Sequence, residues 1–217
     1  DINSVESFFQ SRNASINNTA TMGGFLSSHD EDSLVDKLVT EKNLTEEEAL
    51  KVFKVAAALQ LTAKGQAVIY YGEEIGQHGL NNYPIQSNRY DFDWNQVDTQ
   101  SADANSMLNH YEKLLSIRTE YKKLFARGDR SSVLASDDDG YDVFTRFYNG
   151  TKLYVGLNIK DADQTISIPV SEAAGSTMTD LYSGKTYMVS TDGKVEITIP
   201  KAVDGGTVIL KKETSSN

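Results

Sequence analysis

Carboxylates gather at two points of this 217-residue chain, in His29-Asp30-Glu31-Asp32 and in Glu73-Glu74. Each cluster follows a run almost free of charge, Thr21 to Ser28 before the first and Gln66 to Tyr71 before the second. Carboxylate and imidazole groups held at one edge can hydrogen-bond hydroxyls, exchange protons or stabilise a developing positive charge. A third set of groups, Arg89, Asp93 and Trp94, lies in residues 77 to 102, a stretch rich in Asn, Gln, Asp and Tyr. A loop longer than about 15 residues inside a compact domain is usually functional.

The two acidic clusters can act together only if the elements before them end at one edge. Thr21 to Ser28 and Gln66 to Tyr71 both read as strands, the second as an apolar run of the kind covered on both faces. Between them, Thr45-Glu46-Glu47-Glu48 fits a capping box, and Leu50, Phe53, Ala57 and Leu61 continue one helical stripe. Lys64-Gly65 is expected to end that helix with a cation and a residue tolerant of the left-handed conformation. Strand, helix, strand over this length is a right-handed βαβ unit. Its two strands then deliver their carboxylates to the same C-terminal edge, where α/β proteins place active sites.

Val5, Phe8, Phe9 and Arg12 have helical spacing, so the chain is expected to begin inside a helix, and a further helix is expected over residues 103 to 121. The α/β part closes near Gly128. From Ser131 the period changes to two. Tyr141 to Tyr148 and Lys152 to Ile159 flank Asn149-Gly150, a strong hairpin signal. Shorter strands are expected at residues 165–170, 177–182, 185–189, 195–199 and 207–211. The expected fold is α/β followed by all-β, with an antiparallel β-sandwich over residues 131–212 and a frayed polar tail at 213–217.

Composition narrows the function. Asp and Glu number 31 against 21 Lys and Arg, a net charge of −10 with no basic block, so nucleic acid and anionic membranes are poor partners. The longest uncharged helical stretch, Val55 to Ala63, falls far short of the ~20 residues of a membrane span. With no cysteine there is no thiolate nucleophile, disulfide or Cys-based zinc site. The opening Asp1-Ile2-Asn3-Ser4-Val5 has neither initiator Met nor signal core, and reads as a processed or cut end. His110 is expected to face solvent, and Asp137-Asp138-Asp139-Gly140 to form a turn rather than a calcium loop.

Two motifs carry a family resemblance. Phe25-Leu26-Ser27-Ser28-His29-Asp30 resembles the Phe-Leu-x-Asn-His-Asp motif at the seventh barrel strand of the α-amylase and pullulanase family, glycoside hydrolase family 13. Gly65 to Glu74 resembles that family's eighth-strand motif, Gly-x-Pro-x-x-Tyr-Tyr-Gly-x-Glu. Tyr111 to Arg118 is similar to the last barrel helix. The departures are Ser28 for the common Asn and Ala67 for the common Pro. The wording of residues 28–32 and 86–94 stands nearest to bacterial pullulanases and amylopullulanases.

The resemblance implies that residues 1–128 are the last βα units of a (β/α)8 TIM barrel and that the sandwich is the family's C-terminal domain. It implies that Asp30 holds the sugar 2- and 3-hydroxyls and stabilises the transition state, with His29 bonding the same sugar. Glu31 and Asp32 either line the acceptor side of the cleft or open a solvated loop. Arg89 and Asp93 would serve donor-side contacts, while Trp94 either stacks on sugar or plugs the loop. Tyr71, Gly72 and Glu74 shape the strand end, and Glu73 has no assigned role. The nucleophile and general acid belong to barrel strands four and five, so they are expected in an N-terminal remainder of the enzyme. No cofactor is expected in this chain, and any calcium would belong to that remainder. The implied substrate is an α-glucan with α-1,4 or α-1,6 linkages. The expected location is outside a bacterial cell or at its surface, with the cytoplasm left open. The rival reading is a non-catalytic carbohydrate-binding or structural module.

Overall fold

The computed structural model describes residues 2–16 and 18–213; the tail beyond Glu213 lies outside them. Helix α1 (Ile2–Ser15) opens the chain, and strand β1 (Gly23–Gly24) follows it. Helices α2 (Leu34–Lys42) and α3 (Glu46–Thr62) then lead to strand β2 (Gln66–Ala67). The two strands are parallel, with Gly23 opposite Gln66 and Gly24 opposite Ala67.

Both strands are shorter than their apolar runs. Among the described residues each strand has a partner on one side only and the ladder spans two residues, while Val68, 48% exposed, shows that the run is not covered on both faces. The capping box of α3 forms as expected, with the Thr45 side chain and the Glu48 carboxylate exchanging bonds with the amides. The helix stops at Thr62 rather than Lys64. Lys64 pairs instead with Asp129 at 3.4 Å, and other cations serve the helix end. Arg118 donates to the carbonyls of Leu61, Ala63 and Gly65, and the fully buried Arg146 donates to that of Thr62. Cations at this end complement the helix dipole. Gly65 sits at φ +111°, where a Cβ would lie 2.6 Å from the Met22 carbonyl oxygen, so only glycine turns the chain into β2.

Helix α2 was not legible in the sequence. It is capped by Ser33, which accepts from the Asp36 amide, and closed by Asn43 in the left-handed region. The stretch from 77 to 102 is likewise not all loop, since α4 (Trp94–Ser101) lies within it. The helix expected over 103–121 is α5 (Met107–Glu120), and a short α6 (Lys122–Arg127), which was not expected, follows it. His110 does not face solvent. It is buried, with Nε2 at 2.8 Å from the Lys54 carbonyl and Nδ1 at 2.7 Å from the Tyr182 hydroxyl.

Eight strands follow: β3 (Asp129–Ser136), β4 (Tyr141–Tyr148), β5 (Thr151–Asn158), β6 (Gln164–Pro169), β7 (Thr177–Asp180), β8 (Thr186–Met188), β9 (Lys194–Ile199) and β10 (Thr207–Lys212). They form a six-stranded antiparallel sheet in the order β3-β4-β5-β10-β7-β8 and a two-stranded sheet β6-β9. The period of two divides the larger sheet's side chains between two cores. Phe144, Leu153, Val155 and Ile209 pack with Phe53, Leu61, Tyr111 and Phe125 of the helices. Val143, Tyr154, Val208 and Leu210 pack with Ile168, Val195 and Ile197 of the small sheet. Arg130, Glu6 and Asp142 form a buried ionic group that fastens α1 to β3 and β4. Burial raises the Asp142 carboxyl above the usual range, against the pull of Arg130.

Candidate functional site

The segment leaving β1 runs through the buried Ser27 to Ser28, His29 and Asp30. Ser27 anchors it from below, its hydroxyl accepting from the Leu34 amide at the head of α2. Ser28 turns it, accepting from the Asp30 amide at 3.2 Å. The result is an outward-facing His29–Asp30 pair, Nε2 to Oδ2 at 3.1 Å, with the Asp30 side chain 69% exposed.

The loop leaving β2 closes over this turn. Asn88, buried, donates from one amide nitrogen to the carbonyls of His29 and Glu31, each at 2.9 Å. Next to it, Arg89 reaches the His29 carbonyl through Nε at 3.2 Å and the second Asp30 oxygen through Nη2 at 3.3 Å. Asn81 completes the seam, donating to the Asp30 carbonyl at 2.7 Å and, from its amide, to Asp32 at 2.5 Å. A cluster of tyrosines holds the base of the loop: Tyr70 donates to the Asn88 carbonyl, Tyr71 to that of Tyr90, and Tyr90 to that of Tyr71. Gly72, at φ +91°, leaves room for the Tyr90 ring and hydroxyl, which a Cβ there would meet at 2.8 and 2.7 Å. Burial pushes the Tyr70 hydroxyl up to about 12, so it remains a donor at neutral pH.

The structure therefore brings His29, Asp30 and Arg89 into contact and places Asp32 on the Asn81 amide. Glu31 turns away to pair with Lys37. Asp93 is engaged as the N-cap of α4, accepting from Asn95 and Gln96 at 3.1 and 3.3 Å. Trp94 does not plug the loop: it is 72% exposed and meets Phe92 edge-on at 4.7 Å. Asn81 and Asn88 were missed by sequence reasoning. Their acceptors are backbone carbonyls some fifty to sixty positions away, and no residue type signals such a bond. The surviving clue is that Asn88 directly precedes Arg89.

Chemically, Asp30 offers two carboxylate oxygens to solvent with one cationic and one imidazole neighbour. Such a cluster can take paired hydroxyls, the carboxylate accepting while Arg89 and His29 donate.

The family of α-amylase catalytic domains matches residues 1–93. The amylopullulanase of Thermoanaerobacter thermohydrosulfuricus is 33% identical in an alignment of 180 positions that covers 78% of this chain and 11% of that protein. Neopullulanase 2 of Thermoactinomyces vulgaris is 28% identical in an alignment of 156 positions that covers 70% of this chain and 25% of that protein. The chain thus spans a quarter or less of these relatives. Among solved structures, an Anoxybacillus α-amylase superposes with a TM-score of 0.76 at 20% identity, over 96% of this chain and 42% of the amylase. The Geobacillus thermoleovorans α-amylase gives 0.77 at 17% identity, over 97% and 43%.

Proposed function

The chain belongs to the α-amylase family through residues 1–93, and from that premise we propose that it is the C-terminal portion of a retaining hydrolase of α-glucans. The observation that carries this reading is the contact of Asp30 with both His29 and Arg89 at the ends of a parallel strand pair. In it, β1 and β2 are the last two strands of the (β/α)8 barrel and the eight later strands are the C-terminal sandwich. Its support is the open side of β1, where Phe8, Met22 and Phe25 stand exposed along a groove that further barrel strands would cover.

Retaining hydrolysis passes through an oxocarbenium-like transition state between a nucleophilic carboxylate and a carboxylic acid. Those two groups would come from the earlier strands of the longer enzyme. Asp30 would accept the 2- and 3-hydroxyls of the reacting glucose. As the ring gains positive charge, this interaction strengthens, so it favours the transition state over the bound substrate. His29 and Arg89 would donate to the same sugar while fixing the carboxylate's orientation. The substrate would be pullulan, starch or glycogen.

Arg89 tests the reading. The Arg89–Asp30 pair is open to solvent, 46% and 69% exposed, and such pairs add little to stability. In the longer enzyme, Arg89→Ala should weaken maltotriose binding about tenfold or more in calorimetric titration and leave the melting temperature nearly unchanged. A variant that melts early but binds normally would make Arg89 a scaffold residue.

A further inference from the structure

Behind the His29–Asp30 turn lies a carboxyl that the reaction described above does not use. Glu73, in the 3-10 turn after β2, is 2% exposed. The groups facing its oxygens are the amide and hydroxyl of Ser27 from the β1 side and the amide of Tyr70 from its own turn. Neither oxygen completes a hydrogen bond of good geometry. Glu74 stands beside it, Tyr90 faces it from the loop and Tyr111 from α5, the Tyr111 hydroxyl being buried and unpaired as well. No cation is among these neighbours.

We propose that Glu73 is a positioning residue: through Ser27 it holds the turn that presents His29 and Asp30, and the charge on its carboxyl sets how firmly that turn is held. An ionised carboxylate can accept from both the amide and the hydroxyl of Ser27, leaving the Ser27 oxygen free to accept from Leu34. A protonated one has a hydroxyl of its own to place, which competes for that oxygen. The turn is therefore tighter above the midpoint than below it. Burial puts this midpoint at about 7. His29 is an ionisable neighbour exposed on the turn itself, so its effect must be separated from that of Glu73.

Resonances of this chain followed from about pH 5 to about pH 9 make the test. The Glu73 carboxyl carbon and the Ser27 and Asp30 amides should move together near neutral pH. Glu73→Gln should abolish the Ser27 step, and His29→Asn should retain it. A Ser27 amide that stays still while the Glu73 carboxyl titrates, or a step that survives Glu73→Gln and vanishes in His29→Asn, overturns the proposal. If Glu73→Gln does not fold, Ser27→Ala decides: the carboxyl carbon should still titrate while the Asp30 amide loses the step that tracks it, and persistence of that step overturns the proposal. The consequence for binding rests on the reading of Asp30 as a sugar contact. Absence of maltotriose binding by the longer enzyme at every pH would count against that reading alone, since the resonances do not depend on it.

Discussion

At Glu73 and His110 burial works on opposite sides of neutrality. Glu73 is raised from 4.5 to about 7, so its contribution to stability is complete below about pH 4.5 and is lost as pH rises through about 7. His110 is lowered from 6.5 to about 4 by burial, so its contribution is present above 6.5 and is lost as pH falls through about 4. Each shift corresponds to about 3 kcal/mol between its plateaux. Unfolding free energies measured across this range should show Glu73→Gln flattening the loss towards pH 8 and His110→Gln flattening the loss towards acid. Parallel curves for wild type and Glu73→Gln would mean that the carboxyl is already solvated. The sequence marked Asp30, His29 and Arg89, because a strand-end acidic cluster and a polar loop are local signals, and these three do meet. It marked Glu73 only as half of a strand-end acidic pair and gave it no role, because its environment comes from Ser27, Tyr90 and Tyr111, each from a different segment. Nor did it show that Asp93 is occupied by its own helix.

Among the elements, β4 gives the sharpest contrast. Phe144 points into the core shared with the helices and is fully buried under the Arg130 guanidinium, 3.3 Å from the ring centre, whereas Phe147 is 44% exposed. Phe144→Ala should cost ~3 to 5 kcal/mol through the cavity it leaves. Phe147→Ala should cost less than ~1 kcal/mol. Denaturant titration of the pair checks this, and equal losses would put β4 in the wrong register. The alternation of β4 and β5 and the Asn149-Gly150 turn, with φ of 46° and 83°, were legible because both are set by neighbouring residues. Strand length at β1 and β2 was not, because a ladder needs a neighbour that hydrophobicity cannot supply. Helix α2 escaped notice because its nine residues are too few for a clear periodic stripe. The end of α3 was misplaced because its cations arrive from α5 and β4 rather than from the next residue.

For the whole molecule, the buried core runs without interruption from α3 and α5 into β4, β5 and β10, so α3, the helix that joins the site's two strands, rests on the antiparallel sheet. If the chain supplies one carboxylate of a three-carboxylate site, the 217 residues alone should release no reducing sugar from starch, maltooligosaccharides or pullulan. Activity that follows this chain through chromatography free of other polypeptides would show that it carries its own nucleophile and acid. The most direct measurement is the turnover of the longer enzyme with Asp30→Asn, which keeps the side chain's shape and removes its charge. With Asp30 exposed at the loop surface, melting should change little. Turnover should fall by at least ~100-fold, as expected for an electrostatic loss of about 3 kcal/mol in the transition state. A variant that folds normally and turns over at close to the wild-type rate would contradict the account.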